Sequence, residues 1–451
     1  MSTRKTAIAI VGAGIAGLAT AWHLSRKAQP PGVTLLDCGA PLALTTAASG
    51  ENYRTWWPQP ELSALTARSL DLVELIAAET GNRPNLTRLG YVYATRAVNT
   101  DGFIGEQFDA YPHLARHIRV HTSGESSYRF DPNEGWERAP DGIDVVTDAA
   151  TIARHFPGWD RAVTAFVHVR RAGDLSVQQL GQFMLETARA RGTQLRRCEV
   201  SQIECVDDGF AIHDAAGSTL KAEQVVLAAG PFTASLAARA GASLPLECVY
   251  QQKIAFADTL GAVGRAEPFT IDLDPQTLDW SADERDELAA DAHSNWLLTA
   301  FPAGVHSRPD GGRQGNHIKL GWAYAADTAE PVWAPQPLPA FKDVVLRGAA
   351  RLRPALREYY EHLPRALAHY GGYYAVTPEN LPLIGPTDVA GLHVVGGLGG
   401  FGTMAACAAG ELSAAWLCGD AVPQYGEVLA PARYHNAALV ESLRTRDTGS
   451  L

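Results

Sequence analysis

The chain has 451 residues, more than one ordinary domain holds, and its 46% hydrophobic against 19% charged residues can bury a large core. Its formal net charge of −11 at pH 7 is scattered rather than gathered in a tail, which argues against nucleic acid or an anionic membrane as partner. No run approaches the ~18 apolar residues of a membrane helix, and the apolar stretch after Arg4-Lys5 is too short for a signal peptide, so the expectation is a cytoplasmic protein.

An apolar, β-branched run over 7–11 leads straight into Gly12-Ala13-Gly14-Ile15-Ala16-Gly17, and residues 18–24 carry apolar side chains at helical spacing. Strand, glycine turn and helix form the context in which G-x-G-x-x-G binds a dinucleotide. Gly12 permits the tight turn, Gly14 lets the backbone approach a pyrophosphate, and Gly17 lets helix and strand pack closely. The helix N-terminus adds N–H donors and a partial positive charge for the phosphates. A second strand over 33–36 ends in Asp37, twenty residues after Gly17, where a carboxylate would hydrogen-bond a ribose.

The stretch 45–58 joins small residues to Tyr53, Arg54, Trp56 and Trp57. Its backbone can lie against a flat ligand, and two adjacent tryptophans in a Gly/Pro-bounded loop point to a pocket rather than core. An amphipathic helix is predicted over 60–80, followed by short strands and polar loops over 90–150. His113, His117 and His121 repeat at helical spacing, but no acidic or Cys ligand stands between them, so they read as solvated surface histidines. Helices are predicted over 147–156 and up to Arg191, the second capped by Ser176. A strand follows over 194–200, then a hairpin of 210–213 with 219–222, then a separate buried strand over 224–227 ending in Ala228-Ala229-Gly230.

Residues 250–257, 295–300 and 317–324 read as strands of a second, more antiparallel sheet. Helical sequence at 281–292, a Pro-rich connection at 331–340 and a helix over 341–361 broken near Pro354 complete this part. The chain closes on Tyr374-Ala375-Val376-Thr377-Pro378-Glu379-Asn380, a strand over 392–395, and a glycine loop over 396–402 that enters a small-residue helix. The six cysteines include no C-x-x-C pair and read mostly as buried thiols, with neither a disulfide framework nor a zinc site.

Taken in order, the N-terminal G-x-G-x-x-G with Asp37, the Val225-Val226-Leu227-Ala228-Ala229-Gly230 strand, Y-x-x-T-P-E-N-x-P-L-I-G and the G-G-x-G-G-x-G helix entry form one pattern. The chain resembles the FAD-dependent amine and amino-acid oxidoreductases of the D-amino-acid oxidase superfamily, in the sarcosine oxidase and glycine oxidase-like branch, over nearly its whole length. The resemblance implies an α/β fold (α+β overall). A Rossmann-like FAD-binding domain would come from three segments, 1–90, 145–245 and 366–440, and an antiparallel-sheet substrate domain from 91–144 and 246–365.

It also implies roles. Gly12, Ala13, Gly14, Ile15, Ala16, Gly17 and Asp37 would hold the ADP half of FAD, and Val200, at the end of its strand, would meet the adenine. Ala229 and Gly230 would pass near the pyrophosphate. Thr46, Ser49 and Gly50 would lie under the isoalloxazine, with Gly400, Phe401, Gly402, Thr403 and Met404 along its pyrimidine edge. Lys319, in Ile318-Lys319-Leu320-Gly321-Trp322, matches a lysine over the flavin that promotes reaction with O2 by stabilising a superoxide-like anion. Arg54 is the second catalytic candidate, binding an acid group or sitting on the flavin, and Trp57, Trp322 and Tyr374 are the candidate substrate wall.

The departures are specific. Gly372 stands where a cysteine tethers the flavin in sarcosine oxidases, so FAD is expected to be held non-covalently. Phe401, Met404 and Ala323 replace the family's His, Lys and His, which removes the usual carboxylate-binding lysine and disfavours a simple N-methylglycine substrate. The implied reaction oxidises a C–N bond of a secondary amine or amino acid, with hydride passing to flavin N5, an imine product, and O2 reduced to H2O2. Two alternatives stand beside it: a dehydrogenase that passes electrons to a carrier, and a non-catalytic flavoprotein module. No metal is implied, and a monomer and a homo-oligomer fit equally.

Overall fold

The structure, a computed structural model, describes residues 4–122, 127–312 and 314–446. Strand β1 (Arg4–Val11) is apolar on both faces over residues 7–11, where it lies inside a sheet. Strand β2 (Val33–Asp37) runs parallel to it on one side and Thr219–Leu227 on the other, with Val11 opposite both Leu36 and Leu227. Leu392–Gly396 continues the parallel run beside Thr219–Leu227, and Gln194–Arg197 does so beside β2. Val200–Val206 and Gly209–Asp214 add an antiparallel edge, and Leu383–Pro386 pairs antiparallel with Leu392–Gly396. Eight strands of the described residues thus come together from three distant stretches of chain.

Helices cover one face of this sheet. Helix α1 (Ile15–Ser25) packs directly on the long C-terminal helix Gly402–Cys418, whose small residues allow close approach. A Cβ added at Gly410 would lie 2.5 Å from the backbone carbon of Ala19, so the two helices touch backbone to backbone there. The His23 imidazole reaches the Cys407 carbonyl at 3.0 Å, and burial pushes its pKa down to about 4, leaving it neutral.

Among the described residues, nine strands form the second sheet, in the order Ala368–Val376, Glu247–Ala257, His317–Trp322, His306–Asp310, Phe269–Asp272, Tyr91–Thr95, Ala165–Val169, Ile143–Val146 and Ile118–His121. Most neighbours are antiparallel. Helix Phe341–Leu352 buries Val344, Val345 and Leu346 in the cluster that also holds Trp322.

Several elements differ from the sequence expectation. Residues Asn295–Leu298 form a 3₁₀ turn, not a strand, because Leu297 alone is buried there and no alternation supports a sheet face. The predicted strand over 194–200 is two strands, and Val200 opens the second of them. Thr219–Leu227 is one continuous strand whose first half pairs in the hairpin and whose second half enters the parallel sheet. Ala165–Val169 and Ala368–Val376, expected in the nucleotide-binding segments, pair instead with Tyr91–Thr95 and Glu247–Ala257 in the second sheet. His121 is buried and bonds Asp144 at 2.9 Å, so it is no surface histidine. Of the cysteines, only Cys248 and Cys407 are buried; Cys38 and Cys198 are half-buried, and Cys205 and Cys418 are exposed.

The Thr377–Asn380 turn shows how the C-terminal segment is fastened. Thr377 Oγ1 accepts from the Leu381 N–H and donates to the Leu381 carbonyl, while Asn380 takes the left-handed conformation at φ +54°. Glu379 is fully buried and accepts from Arg433 Nε and the Tyr434 hydroxyl, each at 2.7 Å. The Arg433 guanidinium, also without exposed side-chain surface, donates further to the carbonyls of Leu381, Pro382 and Leu429. Replacing one partner of a buried pair strands the other charge. Glu379→Ala is therefore expected to lower stability by about 3–5 kcal/mol, read as a lower midpoint in thermal unfolding of the flavin-loaded protein, whereas Arg68→Ala, at an exposed ion pair with Glu411, should move it little.

Candidate cofactor site

A cavity of about 370 Å³ lies at the C-terminal ends of β1, β2 and Thr219–Leu227, where an open parallel sheet places its ligands. Its cradle is made by missing side chains. Gly12 has φ +109°, and a Cβ there would lie 2.2 Å from the Ala228 carbonyl oxygen. A Cβ at Gly17 would lie 2.0 Å from the Gly12 carbonyl oxygen, so the start of α1 sits hard against the turn. Asp37 fixes the same turn from the next strand, accepting from the Ala13 N–H at 2.7 Å and the Gly39 N–H at 2.8 Å.

The cavity extends past Thr46 and Ser49 to Gly372 and Tyr374. Thr46 Oγ1 accepts from the Ile15 N–H at 3.3 Å, and the hydroxyls of Ser49 and Thr403 bond each other at 2.6 Å. That last contact joins the loop after β2 to the first turn of Gly402–Cys418, so two helix N-termini face one cavity.

Of the residues expected at a cofactor, Gly12, Gly14, Ile15, Ala16 and Asp37 line the cavity, as do Thr46, Ser49, Gly50 and Val200. Ala229, Gly230, Gly400, Gly402 and Thr403 complete that lining group. Ala13 and Gly17 stand behind the wall, Ala13 through its bond to Asp37 and Gly17 through its packing. Phe401 and Met404 turn into the core instead, and the Phe401 ring meets Trp57 edge-on at 5.5 Å. Position 372 lines the cavity as glycine, with space for a Cβ only 3.1 Å from the Ala48 methyl.

The expected substrate and catalytic residues divide. Tyr374 lines the cavity, and burial pushes its hydroxyl up to about 12, so it stays protonated. Trp57 is fully buried between Phe401 and the Arg54 guanidinium, which lies 3.8 Å over its ring, and Trp56 is buried in another cluster, so the predicted tryptophan pocket is core. Trp322 is likewise core: its Nε1 donates to the Pro302 carbonyl at 3.2 Å. Arg54 is 3% exposed among Trp57, Tyr91 and Tyr93 and does not line the cavity.

Lys319 does not line it either. Its ammonium pairs with Asp310 at 3.2 Å and Glu51 at 3.5 Å. Arg308 shares Asp310 at 3.1 Å and donates to the Gly50 carbonyl at 3.0 Å. Burial works to raise the Asp310 pKa, but Arg308 and Lys319 beside it hold the carboxyl below its ordinary value.

The lysine that does line the cavity is Lys253 on Glu247–Ala257. Register explains the relation: Lys253 lies opposite Gly321 and Ala255 opposite Lys319, so the two lysines share one sheet face a step apart. Lys253 is 8% exposed, with its ammonium 5.9 Å from the Tyr374 ring centre. Burial, and then the Arg308 charge, push its pKa down to about 8, and no carboxylate among the described residues offsets them. Gln251-Gln252-Lys253 carries no motif; only the cross-strand register points to it. Trp333, in the Pro-rich connection, is a second lining residue that no spacing signalled.

A glycine turn on a parallel strand, an acid at the end of the next strand and two helix N-termini on one elongated cavity define a dinucleotide-cofactor oxidoreductase fold. The family model described as DAO, FAD dependent oxidoreductase, matches residues 7–416, and the chain belongs to that family. The glycine cradle and Asp37 fit the FAD that this family uses. Among solved structures, the chain is similar to an L-proline dehydrogenase from P. horikoshii at TM-score 0.71 and 17% identity, covering 96% of this chain and 99% of that one. It is similar to a glycine oxidase from Geobacillus kaustophilus at TM-score 0.70 and 17% identity, covering 95% and 98%. An iminodiacetate oxidase from Chelativorans sp. BNC1 follows at TM-score 0.68 and 17% identity, covering 94% and 98%. No curated protein matches the chain in sequence. Among the described residues no helix is long and apolar enough to cross a membrane.

Asp37→Ala would leave the Ala13 and Gly39 N–H groups without their acceptor at the cavity wall. Hydrogen bonds to a charged group contribute about 1.5–3 kcal/mol, so the FAD Kd, titrated by flavin fluorescence, is expected to rise roughly tenfold to a hundredfold.

Proposed function

We propose that the protein oxidises a C–N single bond of a secondary amine or amino acid, with O2 as final electron acceptor and hydrogen peroxide as by-product. FAD, which Gly12, Gly14, Ile15, Ala16, Asp37 and Thr403 would hold, supplies the two-electron oxidation when bound. With Gly372 where a tethering cysteine would stand, the cofactor is held without a covalent bond at that position.

The observation that carries the oxygen step is the buried ammonium of Lys253, which lines the cavity beside Gly50 and Tyr374 while Lys319 is neutralised by Asp310 and Glu51. A positive charge in a desolvated site lowers the cost of placing an electron on O2. Lys253 does this in place of Lys319. The Lys319–Asp310–Arg308–Glu51 group instead fixes the loop under the site. Arg308 holds the Gly50 carbonyl there, and Glu51 accepts from the Val177 N–H at 3.1 Å. The N-terminus of Gly402–Cys418 adds its dipole toward negative charge at the same end.

Tyr374 forms the wall open to substrate, and being protonated it can donate a hydrogen bond there. With Phe401 and Met404 buried, no cationic residue from that loop is offered to a substrate carboxylate. This disfavours N-methylglycine held through its carboxylate by that loop.

The test separates reduction from reoxidation. The flavin is bleached anaerobically with trial amines and amino acids, then mixed with air, and peroxide is measured. Lys253→Met is expected to slow reoxidation roughly a hundredfold and to leave anaerobic bleaching little changed, while Lys319→Met stays within a few-fold of wild type. Because Lys253 loses its proton at about 8, wild-type reoxidation should fall as pH rises through that value, and in Lys253→Met the profile should be flat. Wild-type flavin that bleaches but recovers slowly in air, without peroxide, would make the protein a dehydrogenase that uses a carrier.

A further inference from the structure

The connection that follows His317–Trp322 crosses from the second sheet to the mouth of the cavity. It is fastened on both sides. The Ala329 N–H donates to the Cys248 carbonyl at 2.8 Å and the Val332 N–H to the Tyr373 hydroxyl at 3.1 Å. On the return, the Leu338 N–H donates to Gln252 Oε1 at 2.7 Å. Between these anchors Trp333 remains 50% exposed, although it is one of the residues lining the cavity.

Its neighbours say which part of the cavity it closes. The indole stacks on the Phe232 ring, centres 5.2 Å apart and planes 23° off parallel, and a Cβ at Gly39 would lie 3.8 Å from its Cζ3. Gly39 stands two residues beyond Asp37 and Phe232 two beyond Gly230, so the indole bridges the two lips of the crevice. The lining at this end offers apolar Val200 and Leu236 to a flat base, with Glu199, Ser235 and Arg239 as its polar neighbours.

We propose that Trp333 is a cofactor-binding residue: carried on a strap from the second sheet, it clamps the adenosine end of FAD and sets how slowly the cofactor leaves. This rests on the chain's membership of an FAD-dependent family. A base–aromatic contact tolerates any purine face and needs no hydrogen-bond pattern, which agrees with a strap whose sequence carries no motif. The backbone anchors pre-order the strap, so little conformational freedom is lost when the base arrives. Because no covalent link is offered at position 372, release depends on such contacts.

The experiment follows the rise of free-FAD fluorescence after dilution of the flavin-loaded protein. Trp333→Ala is expected to speed release roughly tenfold to a hundredfold, and Trp333→Phe, which keeps an aromatic face, to stay within about threefold of wild type. The half-exposed position makes misfolding of either variant readable as a separate fall in thermal midpoint. Release from Trp333→Ala at the wild-type rate would overturn the clamp. So would equal acceleration in Trp333→Ala and Trp333→Phe, since the aromatic face would then do nothing. A wild-type protein that purifies without flavin and cannot take up FAD would overturn the clamp together with the family reading beneath it.

Discussion

Helix α1 can lie against β1 only because position 17 has no side chain: a Cβ there would sit 2.0 Å from the Gly12 carbonyl oxygen. That single contact fixes the height of the helix above the sheet, and other distances follow from it. The C-terminal helix rests closely on α1 through Gly410 against Ala19. Its first turn then meets Ser49 through Thr403, more than three hundred residues away in the chain. Two helix dipoles therefore converge on one cavity because two glycines let two pairs of backbones touch.

Charge on the facing sheet is arranged by a similar economy. Lys253, Lys319 and Arg308 occupy one sheet face in register. Asp310 and Glu51 pair with Lys319 and lie within 4.0 Å of Arg308, which uses up their charge and makes those cations structural. Lys253 lies one step along, beyond their reach, so burial lowers its pKa instead of an ion pair raising it. A lysine whose charge is uncompensated and whose proton is loosely held differs chemically from one in a salt bridge, though the sequence writes both with the same letter.

The parts of this site legible in the sequence were those fixed by local geometry. Strand, turn and helix around Gly12, Gly14 and Gly17 must be contiguous, and Asp37 must follow at the end of the next strand. Helix Pro60–Thr80 and the Ser176 cap were readable for the same reason, since amphipathic spacing and capping act within a few residues. What was not legible depended on contacts between segments distant in the chain. Lys319 sits in a segment matching a known pattern, but Lys253, on the same sheet face across Glu247–Ala257 and His317–Trp322, is the one that lines the cavity. Trp57 read as a pocket residue from its loop, yet Phe401, distant in sequence, covers it. Phe401 and Met404 share a stretch with Gly402 and Thr403, but helix rotation turns them from the cavity into the core.

Because the cavity takes its lining from so many separate stretches, cofactor binding and folding are coupled here. Gly12, Gly14, Ile15, Ala16, Asp37, Val200, Ala229, Gly400, Gly402 and Thr403 come from one sheet and its helices, Lys253 and Tyr374 from the other, and Trp333 from the strap between. A ligand that binds only the assembled cavity stabilises every segment that contributes to it, by about 2.7 kcal/mol at a hundredfold excess over its Kd. A covalent tether would hold the flavin at one point regardless of that assembly. A non-covalent site, by contrast, retains its cofactor only while both sheets and the strap hold their places. In the proposed arrangement the numerous small backbone contacts at the glycines and the large aromatic one at the rim are two halves of the same solution: the first would give FAD its position, and the second would resist its departure.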